Sequence, residues 1–164
     1  MSTEEQKTTI EHQELFPIST FKLGEYPNNS YFDYFLMLED DFFNTRRYVE
    51  ICKGNFNSYS FEFDKIIKLA CAAIEDLLKL ICGIQPSAQT NIAVYRKYFS
   101  EHFADFHKIE VYCLLSTPRK IRPWLVWESE RTPGWWGAYN SIKHSQSTNF
   151  KKATQHNALK TLAA

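Results

Sequence analysis

The sequence has no excess of charge, no long apolar run, no paired cysteines and no glycine-rich phosphate loop. Each absence closes a class of function. Nineteen basic side chains balance nineteen acidic ones, so no global basic field draws the chain onto nucleic acid, and any such binding must come from a local patch. No apolar run reaches membrane-spanning length, and no membrane partner is expected. The stretch Met1-Ser2-Thr3-Glu4-Glu5-Gln6 is polar and acidic, unlike a signal core. Cys52, Cys71, Cys82 and Cys113 contain no Cys-x-x-Cys pair, and their spacing to the histidines matches no zinc site. The expectation is a reduced, cytoplasmic protein without metal or cofactor, in which Cys71 and Cys82 are buried thiols. Activated Ser or Cys arrangements and paired carboxylates are also missing, which removes the common routes of small-molecule catalysis. There are no internal repeats and no low-complexity tracts.

What the chain has instead is aromatic surface. Thirteen Phe, nine Tyr and four Trp among 164 residues are enough to build one core, so a single domain is expected, with at most a small appendage. Residues 1 to about 14 read as a leader, and Leu15 to Leu23 as a short edge strand limited by Pro17. Gly24, Pro27, Asn28 and Asn29 mark a turn. Tyr31 to Leu36 is apolar and aromatic, and its pattern fits either a strand or the lead into a helix. This divides the chain into an N-terminal segment, 1–37, and a helical body, 38–164.

The body reads as helices with one interruption. Phe42, Thr45, Val49 and Cys52 recur at helical steps from about Leu38 to Cys52, closed by Gly54-Asn55. The clearest helix runs from Ser60 to Cys82, with a stripe of Phe63, Ile67, Ala70, Ile74, Leu77, Leu78 and Ile81, a Glu75–Lys79 pair and Gly83 as its stop. A third helix spans about Asn91 to Phe106. The period then changes to two. Ile109 to Leu115 and Ile121 to Trp127 predict a β-hairpin inserted at about 109–127, with Pro123 restricting it to an edge. Trp124 and Trp127 are expected to pack it against the helices rather than stack on a nucleobase. The charged connection Glu128 to Pro133 leads to a helix ending near His144. After a polar break at Ser145 to Thr148, a closing helical run starts at Asn149. It stops at Leu162-Ala163-Ala164 without a cap, which leads us to expect a continuing natural chain or a helix that ends at a partner surface. The predicted fold is mainly α, a bundle of four to five helices with a small hairpin or sheet appended.

Chemistry concentrates in Gly134-Trp135-Trp136-Gly137-Ala138-Tyr139-Asn140-Ser141-Ile142-Lys143-His144. Trp136, Asn140 and His144 fall at i, i+4 and i+8, on one helix face, with Lys143 beside it. Two readings are open. In one, Asn140 and His144 bond inside a bundle and fix helix register. In the other, the imidazole is a general acid or base near neutral pH while a cation balances phosphate charge. RNA cleavage needs no metal, because the ribose 2′-hydroxyl is a built-in nucleophile.

The segment Asn140-Ser141-Ile142-Lys143-His144, preceded by the long helix from Ser60 and followed by an Ala-rich closing helix, resembles the HEPN superfamily. The stretch from Trp136 to His144 is also similar to bacterial proteins of HEPN-like type. The family motif is Arg, a polar residue, three variable residues and His, on small helical bundles of toxins, phage-defence proteins and RNA-processing factors. Many members are dimeric, metal-independent ribonucleases whose motifs meet at the dimer interface, and others bind RNA or protein without catalysis. The resemblance covers the second half of the chain by motif and residues 38 to 106 by helix pattern. It implies His144 as acid/base and Asn140 as the motif's polar residue. The family's Arg falls on Tyr139, whose hydroxyl lacks the charge and fork of a guanidinium. Lys143 and Arg131 are the nearest substitutes, and Lys151 and Lys152 extend an expected positive cleft over residues 131 to 152. The resemblance therefore implies a non-catalytic or weakly catalytic RNA- or partner-binding module in a bacterial defence or toxin–antitoxin setting. The alternatives are a metal-independent endoribonuclease using His144, or a structural helical domain of a larger assembly. The partners implied are RNA, a second copy of the chain, or another protein.

Overall fold

A computed structural model describes residues 29–113 and 118–164. The leader and the expected strand Leu15 to Leu23 lie outside the described residues. The architecture is the predicted one, mainly helical with a small antiparallel sheet. Six α-helices are present among the described residues: α1 Asn29–Asn44, α2 Phe61–Ile81, α3 Ile92–His102, α4 Gly134–His144, the single-turn α5 Gln146–Asn149, and α6 Gln155–Leu162. The sheet pairs β1 Val111–Cys113 with β2 Arg119–Ile121, in the register Val111 to Ile121 and Cys113 to Arg119. No helix among the described residues is long and apolar enough to cross a membrane.

The central helix is α2, against which α1, α4 and α6 all pack. Its boundaries follow from local chemistry. Ser60 sits in extended conformation and its hydroxyl accepts from the Phe63 amide at 3.1 Å, while Glu62 and Asp64 occupy the first turn. At the other end Gly83 takes φ +65°, the left-handed region that glycine enters at least cost. The Ile84 and Gly83 amides then reach back to the Lys79 and Leu80 carbonyls, the paired bonds that terminate a helix in a left-handed cap. Phe63, Ile66, Ile67, Ala70, Cys71 and Leu78 are buried. All four cysteines are free thiols.

Of the two readings open for Tyr31 to Leu36, the helical one is observed, within α1. Several other expectations need correction. The helix expected from Leu38 to Cys52 ends at Asn44. There the Thr45 hydroxyl donates to the Phe42 carbonyl at 2.6 Å and a short 3-10 turn, Thr45–Arg47, follows. The stretch that follows is held by residues far along the chain. The buried Gln155 amide donates to the Glu50 carbonyl, and the Gln155 and His156 backbone amides donate to Ser58 and Phe56. Residues 50 to 60 are thus stitched to the start of α6, and no local period announces it. The helix expected to reach Phe106 stops at His102, with a 3-10 turn at Phe106–Lys108. The strand expected from Ile121 to Trp127 ends at Ile121, and Leu125–Ser129 is a 3-10 helix. The polar break at Ser145 to Thr148 is largely α5, so the closing run is a turn of helix, a 3-10 turn and then α6.

The two hairpin tryptophans are core residues, as the packing reading required. Trp124 and Trp127 are 2% and 7% exposed. Ring contacts run from Phe99 of α3 through Phe106 (4.3 Å) to Trp124 (5.4 Å) and on to Trp135 of α4 (5.1 Å). The Trp135 indole donates to the Pro123 carbonyl and the Trp124 indole to the Ala164 carbonyl, each at 3.1 Å. This aromatic ladder is what fixes α4 relative to the hairpin.

Candidate functional site

The orientation of α4 is set by its apolar stripe. Trp135, Ala138, Tyr139 and Ile142 are all buried. At about 100° per residue, Asn140 and His144 lie about 40° apart and on the opposite side of the helix from that stripe. Burial falls along the face that the spacing of Trp136, Asn140 and His144 singled out. Trp136 is buried, Asn140 half-buried and His144 exposed. The reading in which Asn140 and His144 bond inside a bundle is therefore not the one observed. Neither side chain makes a hydrogen bond among the described residues.

The cations around this face are arranged by specific contacts. Lys143 places its ammonium 5.2 Å from the centroid of the Tyr139 ring, one turn earlier. Contact with the Tyr139 hydroxyl holds the Lys143 ammonium above its ordinary range, so it stays charged. Burial pushes the Tyr139 hydroxyl up, against the pull of Lys143, so it stays a neutral phenol. Lys152 approaches from the next segment, donating to the Ser141 hydroxyl at 2.8 Å, while Ser141 donates to the Gly137 carbonyl at 2.9 Å. By angular position Lys143 flanks Asn140 on one side and Ser141, carrying Lys152, flanks it on the other. Lys151 and Arg131 are exposed, and no side-chain hydrogen bond or ion pair joins either of them to α4 among the described residues. The structure brings Lys152 onto the Ser141 hydroxyl and Lys143 over the Tyr139 ring. Arg131 instead follows Glu130, whose carbonyl accepts from Arg96 of α3.

Three residues that sequence reasoning passed over hold this surface in place. Asp64 of α2 is 6% exposed and its Oδ2 accepts from Gln146 of α5 at 3.0 Å and from Lys68 at 2.9 Å. Gln146 is two residues beyond His144, so Asp64 tethers the corner at which α4 ends. Ser141, the third, carries Lys152. The partner of Asp64 is 82 positions away, and only the Lys68 spacing of i+4 was legible.

The described residues contain no group of three or more His, Cys, Asp or Glu side chains placed to hold a metal ion. An apolar recess of about 410 Å³ lies between α1 and α2, lined by Phe35, Leu38, Ile74, Leu77 and Ile81 among others, with no charged side chain on its walls. A second recess, of about 480 Å³, is lined by β2 and α6 and is strongly basic. No family model matches the chain, and neither curated proteins nor solved structures yield a match.

Proposed function

We propose that this chain is a HEPN-like RNA-binding module of the cytoplasm, whose contact surface is the solvent side of α4 and which binds RNA without efficient cleavage. The observation that carries the reading is the pair of ammonium groups, Lys143 and Lys152, on either side of Asn140. Neither forms an ion pair among the described residues, so both charges are available to phosphate. Asn140 and His144 between them offer an amide and an imidazole for base edges or ribose hydroxyls. Efficient cleavage is disfavoured because the position where the resembled family carries Arg is the buried Tyr139, and because no hydrogen bond among the described residues orients the His144 ring. Such a module fits a bacterial defence or toxin–antitoxin system.

The endoribonuclease reading retains one observation in its favour, the exposure of His144. A protein partner is the competing ligand for the same surface.

The test is fluorescence anisotropy of a labelled single-stranded ribo-oligonucleotide with the wild type and with the Lys143→Glu/Lys152→Glu double variant. Binding is expected to weaken at least about tenfold in the variant, with a shallower salt dependence. Equal affinity in both proteins contradicts the assignment, and absence of binding in both moves the surface to a protein partner.

A further inference from the structure

The basic recess between β2 and α6 draws none of its walls from α4 or α5. Arg119 and Lys120 enter from the second strand, Arg122 from the residue just beyond it, and His156 and Lys160 from α6, with Phe56 also on the wall. The one carboxylate on its walls, Glu110, is already engaged. It accepts from Arg122, through Nε at 2.6 Å, and pairs with Lys120 at 3.1 Å. Four permanent cations against one carboxylate leave three positive charges in excess. Arg119 and Lys160 have no carboxylate partner among the described residues.

The recess is also built in advance of any ligand. The Phe56 and His156 rings stack at 4.6 Å with 5° between their planes, and the Arg119 guanidinium lies 5.0 Å from the Phe56 centroid. A guanidinium stacked in this way loses little freedom when it binds an anion. The β1–β2 register brings Arg119 and Lys120 to this edge, and the His156 backbone amide is fixed on the Phe56 carbonyl at 3.2 Å. The positive field is felt by the ring itself: burial, then Lys160 and Arg119, hold the His156 imidazole below its ordinary range.

We propose that this recess binds a ligand bearing a pyrophosphate group. A phosphodiester offers one negative charge per phosphate, whereas a pyrophosphate offers close to the excess that the walls present. The volume of about 480 Å³ falls within the range of small-ligand sites. The inference does not depend on RNA binding by α4.

The experiment is titration of the full chain with sodium pyrophosphate at low ionic strength, followed by calorimetry and by the His156 ring resonance. One saturable site is expected, with a shift of that resonance. Lys160→Gln and Arg119→Gln should each weaken binding about tenfold, as loss of a charge-assisted contact does. Lys97→Gln, on α3 and outside the recess, should leave binding unchanged. Lys160→Arg, which keeps the charge, should retain binding and separates lost charge from lost fold. No saturable binding, or equal affinity in the Lys160→Gln and Arg119→Gln proteins, overturns the proposal. A ribo-oligonucleotide lacking terminal phosphates is run in parallel. Tighter binding of that oligonucleotide, lost in the same variants, also overturns it and assigns the recess to the nucleic-acid backbone.

Discussion

The ammonium of Lys143 lies over the ring of Tyr139, 5.2 Å from its centroid and one helical turn further on. On the proposed HEPN-like reading, the charge that the motif places at the Tyr139 position is displaced by a turn. It is carried by a point cation rather than a planar fork. The phenol ring is 4% exposed and belongs to the core side of α4, where it meets Trp136 edge-on at 5.6 Å. Restoring the motif by one substitution thus conflicts with the packing.

Tyr139→Arg is expected to lower stability by roughly 3 kcal/mol, since it trades a packed ring for a buried guanidinium without a carboxylate. It should not create RNA cleavage. Tyr139→Phe keeps the ring beneath Lys143 and should cost no more than about 1 kcal/mol. Urea unfolding of the two variants checks both values. A neutral Tyr139→Arg would mean that the side chain reaches solvent and that the motif is closer to complete than its packing implies.

Asn140→Ala and His144→Ala should each leave stability within about 0.5 kcal/mol of the wild type, because both side chains lie on the solvent side of α4. Trp135→Ala, on the opposite side, is expected to cost about 3–5 kcal/mol through the cavity it opens. It also loses the indole bond to Pro123. Thermal melts by circular dichroism separate the two classes.

The four thiols should differ in reactivity. Cys71 is fully buried and burial pushes its thiol well above the ordinary range, so little thiolate forms at neutral pH. Cys52, Cys82 and Cys113 are only partly buried. Alkylation of the native protein followed by peptide mass mapping should find Cys71 modified last, at the rate of unfolding. Early modification of Cys71 would show that α2 opens locally against α6.

Stability should fall on mild acidification, and His156 is one cause. Its folded-state pKa is depressed below the ordinary 6.5, by burial first and then by Lys160 and Arg119. The unfolded chain therefore binds the proton more readily. The contribution is fully present above about pH 6.5 and is lost as pH falls below it, through the depressed folded value. His156→Gln should flatten the stability profile in that range. Denaturation midpoints from pH 7 downward test the slope, and an unchanged slope in the variant would contradict the assignment.

Much of the fold was legible where signals are local. Ser60, Gly83 and the stripe of α2 bracket that helix within a residue of its observed ends, and the change of period at Ile109 found the hairpin. The failures share one cause. Residues 50 to 58 are held by hydrogen bonds from Gln155 and His156, and the helix period of Phe42, Thr45 and Val49 carried no trace of them. Trp124 and Trp127 resembled strand residues in composition, yet both join the ladder of rings from Phe99 to Trp135, Trp127 within a 3-10 helix and Trp124 just before it. For the site, i, i+4 spacing was enough to place Asn140 and His144 on one face. Spacing alone gave no sign that this face points to solvent, because the neighbouring Trp136 on the same register is buried. The contacts Lys152 to Ser141 and Gln146 to Asp64 are tertiary, and the basic recess draws its walls from four separate segments. No linear motif marks any of these.

The most direct measurement is incubation of the purified protein with a mixed pool of structured and single-stranded RNA in EDTA, beside His144→Ala. Binding and integrity of the RNA are followed together. The account predicts that both proteins retain intact RNA and that the wild type binds it. Metal-independent cleavage by the wild type that disappears in His144→Ala would contradict it. That result would make the exposed imidazole a catalytic group, served by the displaced charge of Lys143.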